Sequence, residues 1–154
     1  MDETAGNIII MPGEGIGPEV MAEVRRIVDW FDRRRNLRFS IREEPYGSAA
    51  YARHGKVIAD GALEAMRNAD AILFGATGGP AFNQIPAEVR REGTLLRIRR
   101  QLDLYANLRP IFAIPALAEA SSLKPRVLAG VDLVIVRELG AGVYFGEPRG
   151  LETL

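Results

Sequence analysis

The 154-residue chain contains no cysteine. That excludes disulfides, thiolate zinc sites and a cysteine nucleophile, and it fits a soluble protein in a reducing, cytoplasmic setting. Histidine occurs once, at His54 in the stretch RHGK, where a surface loop is the expectation, and no Asp or Glu cluster has metal-ligand spacing. Only Lys56 and Lys124 among the twenty basic residues are lysines. Neither sign of charge is in excess. Twenty basic residues balance twenty acidic ones, so no overall field favours nucleic acid or a membrane surface. Long apolar runs are missing too: the N-terminal MDETAGNIIIMPGEG starts acidic and carries only a short apolar stretch, which predicts neither a signal peptide nor a membrane span. What is present, 47% hydrophobic and 26% charged residues, suits a globular domain with a real core whose recognition chemistry has to be local.

Asn7 to Met11, closed by Pro12, reads as a buried strand. Gly13, Gly15 and Gly17 then turn the chain into a helix from Pro18 to about Arg33, with proline accepted in its first turn and Val20, Val24, Ile27, Val28 and Phe31 at helical spacing. The turn reads G-x-G-x-G-P and not G-x-G-x-x-G, so the classical dinucleotide fingerprint is incomplete, and a tight turn without a ligand is the alternative. Leu37 to Glu43 alternates as a second strand, and Asp60 to Asn68 reads as a helix capped by Asp60 with Leu63 and Met66 inward. Ala71 to Gly75 is a third buried strand, followed by a second glycine-rich loop at Ala76 to Pro80. Ligands of open α/β sheets bind beyond the carboxyl ends of strands, so two such loops mark a candidate site. Pro86 to Arg91 reads as a short polar helix or turn. Tyr105 to Ile114 and the apolar Val131 to Arg137 are further strands, the second expected to be buried with Arg137 at its end; Val143 to Phe145, among glycines 140, 142 and 146, reads as a short strand after a turn. Strands and helices alternate without repeats or linkers, which makes the class α/β.

The stretch RREGTLLRIRRQLDLYANLRP, Arg90 to Pro110, is the most informative. Leu95, Ile98 and Leu102 fall at i, i+3 and i+7 of a helix and make one apolar stripe, while Arg99 lies four residues after Leu95 and three after Leu96, beside both. Arg109 follows in a segment that Pro110 holds extended. Two guanidinium forks next to a leucine patch suit a small dicarboxylate with an apolar branch. The alternative is that Arg97, Arg99 and Arg100 form a solvated helix face.

Taken together, PGEGIGPEV at Pro12 to Val20, LFGATGGP at Leu73 to Pro80, LLRIR at Leu95 to Arg99, LYANLRP at Leu104 to Pro110 and VRELGAGVYFGEPRG at Val136 to Gly150 resemble the isocitrate and isopropylmalate dehydrogenase family, and within it the 3-isopropylmalate dehydrogenases. The resemblance implies an isopropylmalate dehydrogenase-like fold, a mostly parallel sheet with flanking helices. Residues 1–104 would begin the cofactor-side domain and residues 105–154 the second, dimerisation-side domain. It implies Arg99, Arg109 and Arg137 as the clamp on two malate carboxylates, Leu95 and Leu96 in the pocket for the branch, and Tyr144 as catalytic tyrosine. Glu92 would lie near the nicotinamide, and Ile16 with the loop from Gly79 along NAD. The reaction implied is hydride transfer from the 2-hydroxy carbon to NAD, then loss of the carboxylate β to the new ketone, with Mg²⁺ or Mn²⁺ stabilising the enolate and Tyr144 returning a proton. An aromatic plug in a glycine-rich hairpin is the alternative for Tyr144.

The chain also departs from the family. Members are about twice as long, and the catalytic lysine, the metal-holding aspartates and the adenosine loop belong to the part this chain lacks. The metal ligands are therefore expected from a C-terminal half. A boundary at Leu154 falls inside the second domain and would leave strand edges and apolar surface for a second copy or that C-terminal half. Glu14 stands where aspartate is usual, adding a methylene near the cofactor loop, and Gly93 and Thr94 reverse the usual order. The expected function is NAD-dependent oxidative decarboxylation of 3-isopropylmalate, in leucine biosynthesis, as the N-terminal half of the enzyme and not by this chain alone. A non-catalytic anion-binding or interaction domain of the same descent is the alternative, as is a sister enzyme acting on tartrate, malate, homoisocitrate or isocitrate.

Overall fold

The computed structural model describes residues 6–140 together with 146 and 150. The chain divides into two compact units, with the boundary between Leu102 and Asp103.

The first unit is built on β1 (Gly6–Gly13), which has β2 (Phe39–Glu43) on one side and β3 (Ala71–Ala76) on the other, all parallel. A central strand covered on both faces needs apolar residues at consecutive positions, because successive side chains point to opposite faces. The run Ile8 to Met11 is such a strand. Ile8 and Ile10 face α1 (Gly17–Arg35) and pack with Met21 and Val28, while Ile9 and Met11 face the other way into a cluster with Tyr46, Ile58, Ala62, Met66 and Ile98. That second layer comes from α3 (Ala62–Arg67), α4 (Pro80–Asn83) and α6 (Leu95–Gln101) with their connections, α2 (Ser48–His54) preceding α3 and α5 (Ala87–Glu92) preceding α6 along the chain.

Several sequence expectations shift here. On α1 only Met21, Val24 and Val28 turn to the sheet; Val20, Ile27, Trp30 and Phe31 are exposed. Asp60 does not cap α3, whose N-cap is Gly61; its carboxylate pairs with Lys56 one turn back at 2.5 Å, and the first-turn N–H of Ala62 bonds to Ala59 C=O instead. His54 is not on a loop but is the last, exposed residue of α2. Strand β3 is half-buried, as an edge strand is.

In the second unit β4 (Ala106–Phe112) and β5 (Asp132–Glu138) form an antiparallel ribbon in register from Ala106 opposite Glu138 to Phe112 opposite Asp132. A 3₁₀ turn (Pro115–Ala120) and α7 (Pro125–Leu128) lie in the connection. Val131 to Arg137 was expected to be buried, yet Leu133 to Val136 are all exposed. The apolar pattern was read correctly as a strand, but among the described residues β5 pairs with β4 alone, and a two-stranded ribbon supplies no second layer of its own. The expected strand at Val143 to Phe145 lies outside the described residues. Among the described residues no helix is long and apolar enough to cross a membrane.

Candidate functional site

The carboxyl ends of β1 and β3 run into the two glycine loops, and these touch. Glu14 N–H donates to Ala76 C=O at 2.8 Å, and Gly17 N–H closes the first loop onto Glu14 C=O at 2.8 Å. The approach leaves no room for side chains: a Cβ at Gly13 would overlap the Ala76 carbonyl, and a Cβ at Gly17 or Gly75 the Pro12 carbonyl. Gly13 also has φ +78°, which an L side chain rarely adopts. The outcome is a rim of bare backbone from which Ile16, 58% exposed, projects. Gly79, at φ +152° immediately before α4, sits on the same rim, its Cα side facing Gly15 N. Glu92 is exposed at the end of α5 and lines a cleft of about 160 Å³ with Lys56, Gly93 and Arg97, too small for a dinucleotide.

Glu14, in place of the usual aspartate, was expected to add a methylene to a loop near the cofactor. The structure turns it inward. Its side chain is 5% exposed and accepts hydrogen bonds from Ser48 N–H and from Ser48 Oγ, the second at 3.1 Å. The N-cap of α2 is Gly47, which has no side chain to cap with, and the Glu14 carboxylate takes the first helical N–H in its place. Next to it Tyr46 is buried, and its hydroxyl donates to Gly93 C=O at 2.9 Å. Burial, and then the charge of Glu14, push the Tyr46 hydroxyl above its ordinary value.

On α6 two of the three stripe positions reach the core, Ile98 buried and Leu102 packed against the same cluster, while Leu95 does not join it; Thr94 caps the helix through its hydroxyl, which accepts from Arg97 N–H at 3.3 Å. Leu95 and Arg99 are half-buried on one flank of that stripe, Leu96 is 46% exposed, and Arg97 and Arg100 are solvated. Only two of the three helix arginines therefore match the alternative of a solvated face.

In the second unit the register brings two arginines together. Asn107 is opposite Arg137 and Arg109 opposite Ile135, so Asn107, Arg109 and Arg137 project from one face of the ribbon with Arg109 and Arg137 diagonal to each other. Arg109 Nε donates to Asn107 Oδ1 at 2.7 Å, which holds its guanidinium fork over that face. Tyr144 lies outside the described residues. Among the described residues no group of three or more His, Cys, Asp or Glu is placed to hold a metal ion.

Residues 7–154 match the model of the family "Isocitrate/isopropylmalate dehydrogenase". The chain belongs to that family. Its members are decarboxylating hydroxy-acid dehydrogenases. The chain is 53% identical over 147 residues to 3-isopropylmalate dehydrogenase 1 of Bradyrhizobium diazoefficiens, covering 96% of this chain and 39% of that protein. To the 3-isopropylmalate dehydrogenase of Ruegeria pomeroyi it is 51% identical over 145 residues, covering 94% and 40%. The crystal structure of a beta-decarboxylating dehydrogenase from Thermococcus kodakarensis superposes with a TM-score of 0.63 at 32% identity, over 92% of this chain and 36% of that one. That of isocitrate dehydrogenase from Methylococcus capsulatus superposes with 0.68 at 22% identity, over 96% and 38%, and speaks for the fold alone. The chain spans about two fifths of the relatives it matches, so it holds part of the dehydrogenase fold.

Sequence reasoning passed over Ser48 and Tyr46. Seven residues between Gly47 and Gly55 carry too little pattern to mark α2, and nothing in a linear reading links Glu14 to a helix more than thirty residues on.

Proposed function

We propose that this chain carries the N-terminal part of the site of an NAD-dependent 3-isopropylmalate dehydrogenase, completed by a C-terminal half. The observation that carries the reading is the arginine face of the ribbon in a chain about half identical to 3-isopropylmalate dehydrogenases. Arg109 and Arg137 would bind carboxylates of the hydroxy acid by paired N–H···O contacts, and Arg99 would complete the clamp. Leu95 and Leu96, on the same α6 as Arg99, would receive the apolar branch. Residues 1–104 would start the cofactor-side domain and residues 105–154 the dimerisation-side domain.

NAD would lie beyond the carboxyl ends of β1 and β3, where open α/β sheets take their ligands, with Ile16 and Gly79 along it and Glu92 near the nicotinamide; the exposure of Ile16 on the first glycine loop supports the reading. Bound NAD supplies the hydride acceptor. The described residues offer no donor set for Mg²⁺ or Mn²⁺, whose ligands would come from the C-terminal half. Tyr144 would return the proton after decarboxylation, an ordinary tyrosine being a competent donor at neutral pH. The exposed apolar faces of β4 and β5 would be covered by the C-terminal half or by a second copy. A cytoplasmic role in leucine biosynthesis follows from the same reading.

The test is NADH formation from 3-isopropylmalate and NAD with Mg²⁺ or Mn²⁺, on this chain alone and mixed with a separately produced C-terminal half. Turnover in the mixture and none in either part is expected, and Arg109→Ala should lower kcat/KM by at least about tenfold, the loss of a charge-assisted pair. No turnover in the mixture would reject the reading.

A further inference from the structure

A seven-residue helix cannot orient itself. Helices shorter than about 12 residues are marginal in water, so the direction of α6 is set by what grips it. Ile98 grips its buried side. At its start the grip falls on Gly93. A Cβ there would overlap Val57 Cγ2, so the backbone is packed directly against the Val57 side chain, and the buried Gly93 carbonyl accepts the Tyr46 hydroxyl at 2.9 Å. Tyr46 is itself fixed from three directions. Its ring meets Phe74 of β3 edge-on at 5.0 Å and stacks on Phe82 of α4 at 6.2 Å, and its neighbours Gly47 and Ser48 are locked to Glu14 of the first glycine loop. A continuous set of contacts thus runs from the glycine rim through Glu14, Ser48 and Tyr46 to the residue before the cap of α6.

We propose that Tyr46 is a positioning residue: by donating its hydroxyl to Gly93 C=O it sets the orientation of α6, and with it Leu95, Leu96 and Arg99, relative to the rim formed by the two glycine loops. The part of this that concerns substrate rests on the dehydrogenase reading above; the mechanical coupling does not. A ring that only filled space would be replaced by phenylalanine without consequence for α6. A ring whose hydroxyl orients α6 would not be, because Gly93 C=O would stay buried with its partner gone.

The experiment is amide hydrogen exchange, resolved by segment, on the 154-residue chain and its Tyr46→Phe variant. Exchange in Arg97 to Gln101 should accelerate about tenfold, the worth of one buried hydrogen bond, while β1 and β3 keep their protection. Phe82→Leu, which removes a stacked ring but leaves the hydroxyl with its Phe74 and Glu14-side supports, should loosen α6 less than Tyr46→Phe does; an equal or larger loss would assign α6 to ring packing and overturn the proposal. The proposal is overturned by an unchanged α6 in Tyr46→Phe, by a loss spread equally over the sheet, or by a variant that does not fold at all, since Tyr46 then supports the whole unit. Calorimetric titration of 3-isopropylmalate into the chain mixed with its C-terminal half separates the two readings. A dissociation constant raised about tenfold by Tyr46→Phe supports both, whereas selective loosening of α6 in a mixture that binds no isopropylmalate keeps the positioning role and removes the dehydrogenase.

Discussion

Glu14 and Gly47 form a pair in which each dictates the other. The carboxylate reaches Ser48 only because position 47 has no side chain: a Cβ there would overlap Glu14 Oε1, and φ at Gly47 is +70°. Gly47→Ala should therefore destabilise by about 1 to 3 kcal/mol through backbone strain and loss of the Ser48 contacts, read as a fall in Tm of several degrees; an unchanged Tm would mean the loop relaxes at no cost. Tyr46 makes a second prediction, in pH. Its native pKa is raised, so the folded chain holds that proton more tightly than the unfolded one. The stability it contributes is present below the unfolded value of about 10 and is lost as pH climbs through the raised native value. Stability measured by urea unfolding should decline above about pH 10, and Tyr46→Phe should be less stable at neutral pH but show less of that decline. Residue roles of this kind were only partly legible. Arg99 beside two leucines follows from helical geometry; the inward turn of Glu14 does not, because it depends on a partner more than thirty positions away.

Periodicity identified elements better than it identified their surroundings. The run Ile8 to Met11 revealed β1 because a strand buried on both faces has to be apolar throughout, and the structure puts Ile8 and Ile10 on one face and Ile9 and Met11 on the other. The same logic applied to Val131 to Arg137 found β5 and misjudged its burial, since side-chain type reports what a strand is suited to and not what lies over it. Helix α2 was not seen, as seven residues between two glycines carry too little pattern to be read. Helix α6 was seen, and its cap is testable. Thr94→Ala removes the bond to Arg97 N–H and should cost about 1 kcal/mol, detectable as faster exchange at the first turn of α6. Equal protection would assign the start of that helix wholly to Gly93 and Ile98.

At the scale of the molecule, the described part of the second unit is the less finished. Leu108, Ile111, Phe112 and Leu133 to Val136 are exposed on both faces of one ribbon, and a monomeric protein rarely leaves that much contiguous apolar surface to water. On its own the chain should sediment above its monomer mass, and a C-terminal half should convert the aggregate into a discrete complex. A monomer at every soluble concentration would show that the ribbon needs no cover. The identity to dehydrogenases more than twice as long agrees with a fold of which this chain is a part.

The backbone rim between β1 and β3 also limits how this protein could change over generations. Gly13, Gly17 and Gly75 stand where any added carbon meets a carbonyl, so these positions are closed to drift, and the loops cannot lengthen at them without parting the strands. Variation is left to the outward residues, Ile16 and Thr77, which are exposed on either loop. A lineage or a selected library that acquires a new ligand preference at this rim should record it there, while the three glycines stay as they are.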